Sequence, residues 1–196
     1  TSSNISVYLC TENIYTEGWI FDGQNGVISG SGSLASTSSG GAFYLSYCIN
    51  SIFKAIVRNC SVSNYGGAYY GENSFFNTIE NVYSCYASSS GGGVYRVRYS
   101  IISNINSCIA NSSSGGGVYG CLYSTISFIN NCTATNGGGV SDCHYSSISN
   151  INYCSAVYGG GVCYCNYSSI SNINYCSAAA YGGGVHFCNY GIISNI

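Results

Sequence analysis

One phrase, three glycines followed by a small apolar residue, recurs along the chain at a nearly constant interval. Gly-Gly-Gly-Val or a close variant begins at seven positions, 22 to 26 residues apart: Gly40, Gly66, Gly91, Gly115, Gly137, Gly159 and Gly182. Helical repeats need units of at least about 33 residues. Leucine-rich repeats of this length need leucine, which occurs only four times here. The repeat therefore predicts an all-β fold, a single parallel β-solenoid with one coil per unit.

We expect about eight coils of 22–26 residues, forming one domain over residues 1–196. The first two coils, about residues 1–39, are the least regular, and the same pattern fits a segment of a longer solenoid. Coils stack about 4.8 Å apart. Residues one repeat apart should therefore lie above one another and form columns of like side chains.

Two isoleucine positions recur in the units and should form columns that face the core. The first column is Ile102, Ile126, Ile148, Ile170 and Ile193, and the second is Ile105, Ile129, Ile151, Ile173 and Ile196. Because strand side chains alternate between faces, two inward positions three residues apart require a bend between them. Asn104, Asn150, Asn172 and Asn195 occupy this bend, where asparagine tolerates left-handed backbone, and Phe128 interrupts their column.

Cysteine and tyrosine recur in columns as well. The cysteine columns are Cys121, Cys143, Cys165 and Cys188, and Cys10, Cys60, Cys85, Cys108, Cys132, Cys154 and Cys176. Neighbouring cysteines at the coil spacing allow either disulfides or buried thiols that act as small apolar side chains. The sequence leaves both open. The tyrosine column is Tyr99, Tyr123, Tyr145, Tyr167 and Tyr190, and parity does not decide whether it faces the core or the solvent.

The low charge of the chain excludes some functions. Charged residues make up 5% of the sequence, against about 25% in typical soluble domains. A net charge of −2 provides no basic surface for nucleic acid. No apolar run approaches the roughly 18 residues of a membrane span, so we expect no membrane insertion by this segment. The hydrophobic and aromatic content, 46% and 15%, is enough to fill a core.

Thirteen cysteines and five N-glycosylation sequons favour an extracellular or cell-surface location. The acceptor residues are Asn4, Asn59, Asn111, Asn131 and Asn166. Parity predicts that Asn59, Asn131 and Asn166 point outward. N-glycans at these positions would hydrate a rod that has few charges of its own.

Two phrases resemble the repeats of polymorphic outer-membrane proteins and related adhesins, whose signature is Gly-Gly-Ala-Ile with Phe-x-x-Asn. Gly40-Gly41-Ala42-Phe43 and Gly66-Gly67-Ala68-Tyr69 match the first motif best. The second motif departs, because Ile151 stands in place of Phe and Cys154 in place of Asn. The resemblance implies a right-handed parallel β-helix similar to pectin lyases, and a surface or extracellular protein.

Residues for catalysis or metal binding are few. The acidic residues are Glu12, Glu17, Asp22, Glu72, Glu80 and Asp142. They are too scattered to suggest the paired carboxylates of a glycosidase or the calcium site of a lyase, so we expect no enzyme and no cofactor. One candidate zinc site places Cys163 and Cys165 next to His186 and Cys188 one coil later. A cysteine column beside a variable column is the simpler interpretation.

Two classes of function follow from these observations. The first hypothesis is a non-enzymatic extracellular structural protein, a β-helical rod that assembles head-to-tail with copies of itself into a filament or surface fibre. The alternative is a cell-surface adhesin or glycan-binding module that uses an exposed tyrosine column. Ice binding and polysaccharide lyase activity are less favoured. The outward column of serines lacks paired threonines, and the acidic residues are scattered.

Overall fold

A computed structural model describes residues 5–8, 16–18, 20–22 and 39–196 of the chain. These residues form short strands joined by turns and contain no helix that could cross a bilayer. The strands, in chain order, are β1 (Ile5–Tyr8), β2 (Ile20–Asp22), β3 (Phe43–Ser46), β4 (Ile52–Phe53), β5 (Ile56–Arg58), β6 (Ser61–Val62), β7 (Tyr69–Glu72), β8 (Thr78–Tyr83), β9 (Tyr86–Ala87), β10 (Val94–Tyr95), β11 (Ile101–Asn106), β12 (Ile109–Ala110), β13 (Val118–Tyr119), β14 (Thr125–Asn130), β15 (Val140–Ser141), β16 (Ser147–Asn152), β17 (Ser155–Tyr158), β18 (Val162–Cys163), β19 (Ser169–Asn174), β20 (Ser177–Tyr181), β21 (Val185–His186) and β22 (Ile192–Ser194).

The coils build three faces, and strands of successive coils pair in parallel. The first face is an eight-stranded sheet in the order β1-β3-β7-β10-β13-β15-β18-β21. The second is a nine-stranded sheet, β2-β5-β8-β11-β14-β16-β19-β22, to which β4 adds beside β8. The third face has β12-β9-β6 and β17-β20. The predicted parallel β-solenoid is confirmed, with about seven turns where the repeat suggested eight. Most of the irregular region predicted at about residues 1–39 lies outside the described residues.

The register of the second face confirms the isoleucine columns. Ile126 lies opposite Ile102 and Ile148, Ile148 lies opposite Ile170, and the column three residues later pairs in the same way. The members from Ile102 to Ile173 are buried. Ile193 pairs with Ile170 as predicted. In the last described coil, Ile193 and Ile196 are 43% and 57% exposed.

Left-handed backbone explains how inward positions three residues apart arise. In the coil that contains β15 and β16, Asp142, Tyr145, Asn150 and Tyr153 all have φ between 55 and 56°. Each such residue turns the chain, so that the residue after it points inward again: Cys143, Ser146, Ile151 and Cys154 are all buried. The bend predicted at the asparagine column is thus one of several such corners in each coil.

The glycine phrase serves two purposes, a left-handed backbone conformation and a close approach between coils. Gly137 has a φ of 56°, a conformation that glycine adopts without steric cost. At Gly138 a β-carbon would lie 2.5 Å from the carbonyl oxygen of Gly160 in the next coil and would also collide with the carbonyl of Ser155. The coils therefore meet backbone to backbone at this edge, which is why the phrase recurs in every unit.

A buried serine column, which the sequence analysis missed, joins the coils at a corner. The backbone N–H of each serine donates to the hydroxyl of the serine in the next coil, at 3.1 Å from Ser100 to Ser124, from Ser124 to Ser146 and from Ser146 to Ser168. Side-chain oxygens thus accept hydrogen bonds from buried N–H groups at this corner. The sequence does contain a pattern that marks this serine column, since a Tyr-Ser pair recurs in these four units, from Tyr99-Ser100 to Tyr167-Ser168.

Candidate functional site

The tyrosine column lies on the surface, which settles the facing that parity left open. Tyr99, Tyr123, Tyr145 and Tyr167 are 44–51% exposed, and Tyr190 is 81% exposed. Each has left-handed backbone, with φ between 49 and 58°, at the corner immediately before the buried serine. The main chain at this corner directs the serine inward and the tyrosine outward.

The exposed rings stack on one another along the rod. Neighbouring centroids from Tyr99 to Tyr190 are 4.8–5.0 Å apart, and neighbouring planes differ by 4–11°. Phe76 extends the column, with its ring 5.4 Å from that of Tyr99. Each interior ring therefore has a neighbour on both of its faces. What the column offers to solvent is a row of ring edges and phenol groups.

A second tyrosine stack follows the first sheet and is less exposed. Its rings belong to Tyr44, Tyr70, Tyr95 and Tyr119, with neighbouring centroids 4.9–5.3 Å apart. Tyr95 is only 5% exposed, and burial raises the pKa of its phenol to about 12. The hydroxyl of Tyr44 donates to the carboxylate of Glu72 at 2.7 Å. This inner stack has the same chemistry as the exposed column but is less exposed, since Tyr44, Tyr70 and Tyr119 are half-buried.

An aromatic cavity of about 600 Å³ opens where the first and third faces meet. Its lining is Asn136, Tyr158, Tyr164, Tyr181, His186 and Phe187. The rings of Tyr158, Tyr181 and His186 are within 21° of parallel, and their centroids form a triangle with sides of 5.7, 6.0 and 6.0 Å. The three rings therefore do not form one straight column, in which the first and third rings would be about twice as far apart as neighbours.

The two remaining rings of the cavity meet the others at a steep angle. The rings of Tyr164 and Phe187 stack on each other, and their planes lie 63–65° from that of His186. The cavity is thus a corner between two aromatic walls, with the amide of Asn136 and the ring nitrogens of His186 as its polar groups. No motif in the sequence predicted this site, since its residues come from three successive coils.

The twelve cysteines in the described ranges are present as thiols, so the structure favours the second of the two states left open above. Both cysteine columns form as predicted and line the core. The thiol of each column accepts a backbone N–H from the previous coil, at 3.3 Å from Cys121 to Cys143 and 3.4 Å from Cys132 to Cys154. Burial raises the pKa of the Cys121 and Cys143 thiols. Cys10 lies outside the described residues.

The candidate zinc ligands divide between two columns. Cys165 and Cys188 belong to a core column, in which the backbone N–H of Cys165 donates to the Cys188 thiol at 3.2 Å. Cys163 lies opposite His186 in the neighbouring column, and the His186 ring packs on Tyr158 and Tyr181. Within the described ranges, no three His, Cys, Asp or Glu side chains converge as a metal site.

The sequon asparagines differ in exposure. Asn111 and Asn131 are exposed, whereas Asn59 and Asn166 are half-buried. The side chain of Asn166 accepts a hydrogen bond of 2.8 Å from the backbone N–H of Asn189, so it also joins two coils. Asn4 lies outside the described residues. Among the four described sequon asparagines, Asn111 and Asn131 are thus the most accessible to solvent.

Comparison with known proteins provides no family for this chain. No protein-family model matches it, and no match was found among curated proteins or among solved structures. Its function has to be argued from its own residues.

Proposed function

We propose that the protein is a non-enzymatic extracellular structural protein, a β-solenoid rod that associates head-to-tail with further copies of itself. The observation that supports this proposal is the constant register of the second face. From β8 to β19 each step pairs the same positions, so Ile79 faces Ile102 just as Ile148 faces Ile170. Every coil therefore offers the next one the same row of backbone groups and the same core side chains.

A coil of a second copy can pair with such a surface as readily as a coil of the same chain. A contact of this kind joins different surfaces of two copies, and its repetition generates a filament. The exposed sequons at Asn111 and Asn131 fit a glycosylated protein outside the cell. Glycans at Asn111, after β12 of the third face, and at Asn131, at the end of β14, would hinder lateral association on that side of the rod and leave the axial direction open.

Sedimentation velocity and negative-stain electron microscopy over a range of concentrations test the assembly. We expect rods whose length increases with concentration. Ile193→Lys, at a position 43% exposed beside Ile170, should shorten them, because it places a charge on the core surface of a coil. Ser103→Lys, on the outer side of β11, is the matched control and should leave the lengths unchanged. Rods of one length at all concentrations would contradict the proposal.

A second candidate, a glycan-binding module, is favoured by the aromatic cavity rather than by the tyrosine column. Sugar rings pack against open aromatic faces, and the faces within the column are covered by neighbouring rings. The cavity has the volume and the mainly apolar lining of small-ligand sites. Asn136, His186 and the tyrosine hydroxyls can hydrogen-bond to a pyranose.

Titration with chitohexaose and cellohexaose, followed by nuclear magnetic resonance, tests this second candidate. We expect shifts at the residues that line the cavity, and we expect Tyr181→Ala to abolish them. Tyr175→Ala is the matched control, since Tyr175 is 77% exposed but lies outside the cavity. Equal loss in both variants, or no shift with either sugar, would argue against binding at this site.

A further inference from the structure

We propose that the exposed tyrosine column, Tyr99 to Tyr190, is a site of oxidative cross-linking between rods. A one-electron oxidant, a haem peroxidase with hydrogen peroxide, would join ring edges of two copies through carbon–carbon dityrosine bonds. This inference rests on the proposed structural role, because it describes how assembled rods become covalently bonded side by side.

Tyrosine is the most frequent oxidisable side chain on the surface of the described residues, in the column and also at positions such as Tyr153 and Tyr175. The sequence has 21 tyrosines, one tryptophan and no methionine. Ten of the twelve described cysteines are buried. Burial raises the pKa of core thiols such as Cys108 and Cys121, so little of their reactive thiolate forms. The half-buried Cys188, whose pKa is lowered by a hydrogen bond with Cys165, is the thiol that competes with the phenols. A one-electron oxidant at the surface therefore meets mainly phenols.

The stacking decides between coupling within a rod and coupling between rods. A dityrosine bond joins two rings edge to edge, through the carbons next to each hydroxyl. Tyr123, Tyr145 and Tyr167 lie face to face, with planes within 9° of parallel, so a bond within the column would have to break the stack. Each of these residues is 46–51% exposed, and the exposed part of each ring is its edge because neighbours cover both faces. These edges face solvent.

The column also has a repeat that a second column can match. Its five rings follow one another at 4.8–5.0 Å. Two rods side by side therefore bring several ring edges together at once, and a first bond holds the remaining rings at high effective concentration.

The reaction balances as a two-electron oxidation. Each of two phenols gives one electron to the oxidant and one proton to water, and forms a phenoxyl radical. The radicals combine through their ortho carbons, and the two ring hydrogens at the new bond shift to the oxygens, restoring both phenols. The two electrons and two protons reduce one hydrogen peroxide to two waters.

The test uses purified protein, a haem peroxidase and hydrogen peroxide. We expect covalent dimers and larger species with dityrosine fluorescence, and mass spectrometry should place most linkages between column peptides of two copies. Replacing Tyr99, Tyr123, Tyr145, Tyr167 and Tyr190 by Phe retains the stacked rings but removes the phenols, and should abolish most of the product. The matched control is Tyr70→Phe, Tyr95→Phe and Tyr119→Phe in the inner stack, which should cross-link like the unmodified protein.

Each result bears on the proposal. Cross-linking that persists in the column variant, linkages that map mainly elsewhere, or linkages confined to one chain would overturn it. Circular dichroism of the variants shows whether a loss of product reflects loss of the fold. Sedimentation without oxidant tests head-to-tail assembly separately. If rods form filaments but the column does not couple, the cross-linking inference fails alone, and if the column couples without filaments, the assembly proposal fails alone.

Discussion

The backbone N–H of Ser124 donates a hydrogen bond of 3.1 Å to the hydroxyl of Ser146 in the following coil. Both residues are buried, and the Ser146 hydroxyl donates in turn to the carbonyl of His144 at 3.0 Å. Ser146→Ala leaves the Ser124 N–H buried without an acceptor, a loss of about 1–3 kcal/mol. We expect a reduction of that size in the free energy of unfolding, measured by urea denaturation.

Two further variants separate the hydrogen bond from other effects of the substitution. Ser147→Ala changes the adjacent, exposed residue and should alter stability by less than about 0.5 kcal/mol. Ser146→Cys should recover part of the loss, because Cys143 accepts the N–H of Cys121 in the same way at 3.3 Å. Equal effects of Ala at 146 and 147 would show that the serine column does not stabilise the stack.

Gly138→Ala should prevent neighbouring coils from closing at the glycine edge. Its β-carbon would meet the carbonyls of Ser155 and Gly160, which are backbone groups of adjoining coils and cannot rotate away. We expect a loss of at least about 3 kcal/mol, the upper range for overpacking, or failure to fold, by thermal denaturation and circular dichroism.

Gly120→Asn is the control for conformation alone. Gly120 has a φ of 67°, and Asp142 and Tyr164 occupy the same column with side chains at a φ of 55 and 56°. Asparagine tolerates this backbone, so a change of less than about 1 kcal/mol is expected. If Gly138→Ala were as stable as Gly120→Asn, the close backbone approach at Gly138 would be refuted.

Phe128→Asn should stabilise the protein. Phe128 has left-handed backbone with a φ of 55°, in a column where Asn104 and Asn150 have a φ of 56°. Left-handed backbone costs ordinary residues about 1–2 kcal/mol, and asparagine less. Because Phe128 is 56% exposed, little packing is lost. We expect a gain of about 1 kcal/mol by chemical denaturation.

The reciprocal change provides a check. Asn150→Ala places an ordinary residue at the same corner and removes the amide oxygen that accepts from Asn172 at 3.5 Å. It should destabilise by about 1–2 kcal/mol. If Phe128→Asn destabilises instead, packing of the exposed ring outweighs the backbone preference.

Alkaline pH should unfold the protein through its core thiols. Burial raises the pKa of six thiols in the folded state: Cys85, Cys108, Cys121, Cys132, Cys143 and Cys165. In the unfolded chain they lose protons near pH ~8.5. Above that pH the unfolded state binds fewer protons than the folded state, so stability falls by about 1.4 kcal/mol per pH unit for each thiol. Below it, this contribution is fully present.

Denaturation curves between about pH 7 and 10 measure this slope. Cys143→Ser removes one ionisable group but retains an acceptor for the Cys121 N–H. It should therefore reduce the pH dependence of stability by the contribution of one thiol, about 1.4 kcal/mol per pH unit. Ser141→Ala, two residues away on β15, should leave the slope unchanged. A slope that does not respond to Cys143→Ser would mean that this thiol ionises equally in both states.

Much of the architecture was predictable because the spacing of the repeat can be read directly from the sequence. A 22-residue step from Ile148 to Ile170 predicts that the two side chains touch, and they are paired. The cysteine columns follow from the same rule, since stacking places like groups together. The aromatic cavity was not predictable, because His186 belongs to a different position of the repeat from the paired Tyr158 and Tyr181, and its ring meets theirs only where two faces join.

The sequence by itself determined the period, the parallel stacking and the membership of each column. The reason is that successive coils stack in register, which requires matching side chains at equivalent positions. The tertiary structure alone decided that the tyrosine column faces solvent. Strand parity predicts direction while the backbone stays extended, but Asp142 and Tyr145 both have left-handed backbone. Each such residue resets the alternation, which places Tyr145 outside and Ser146 inside.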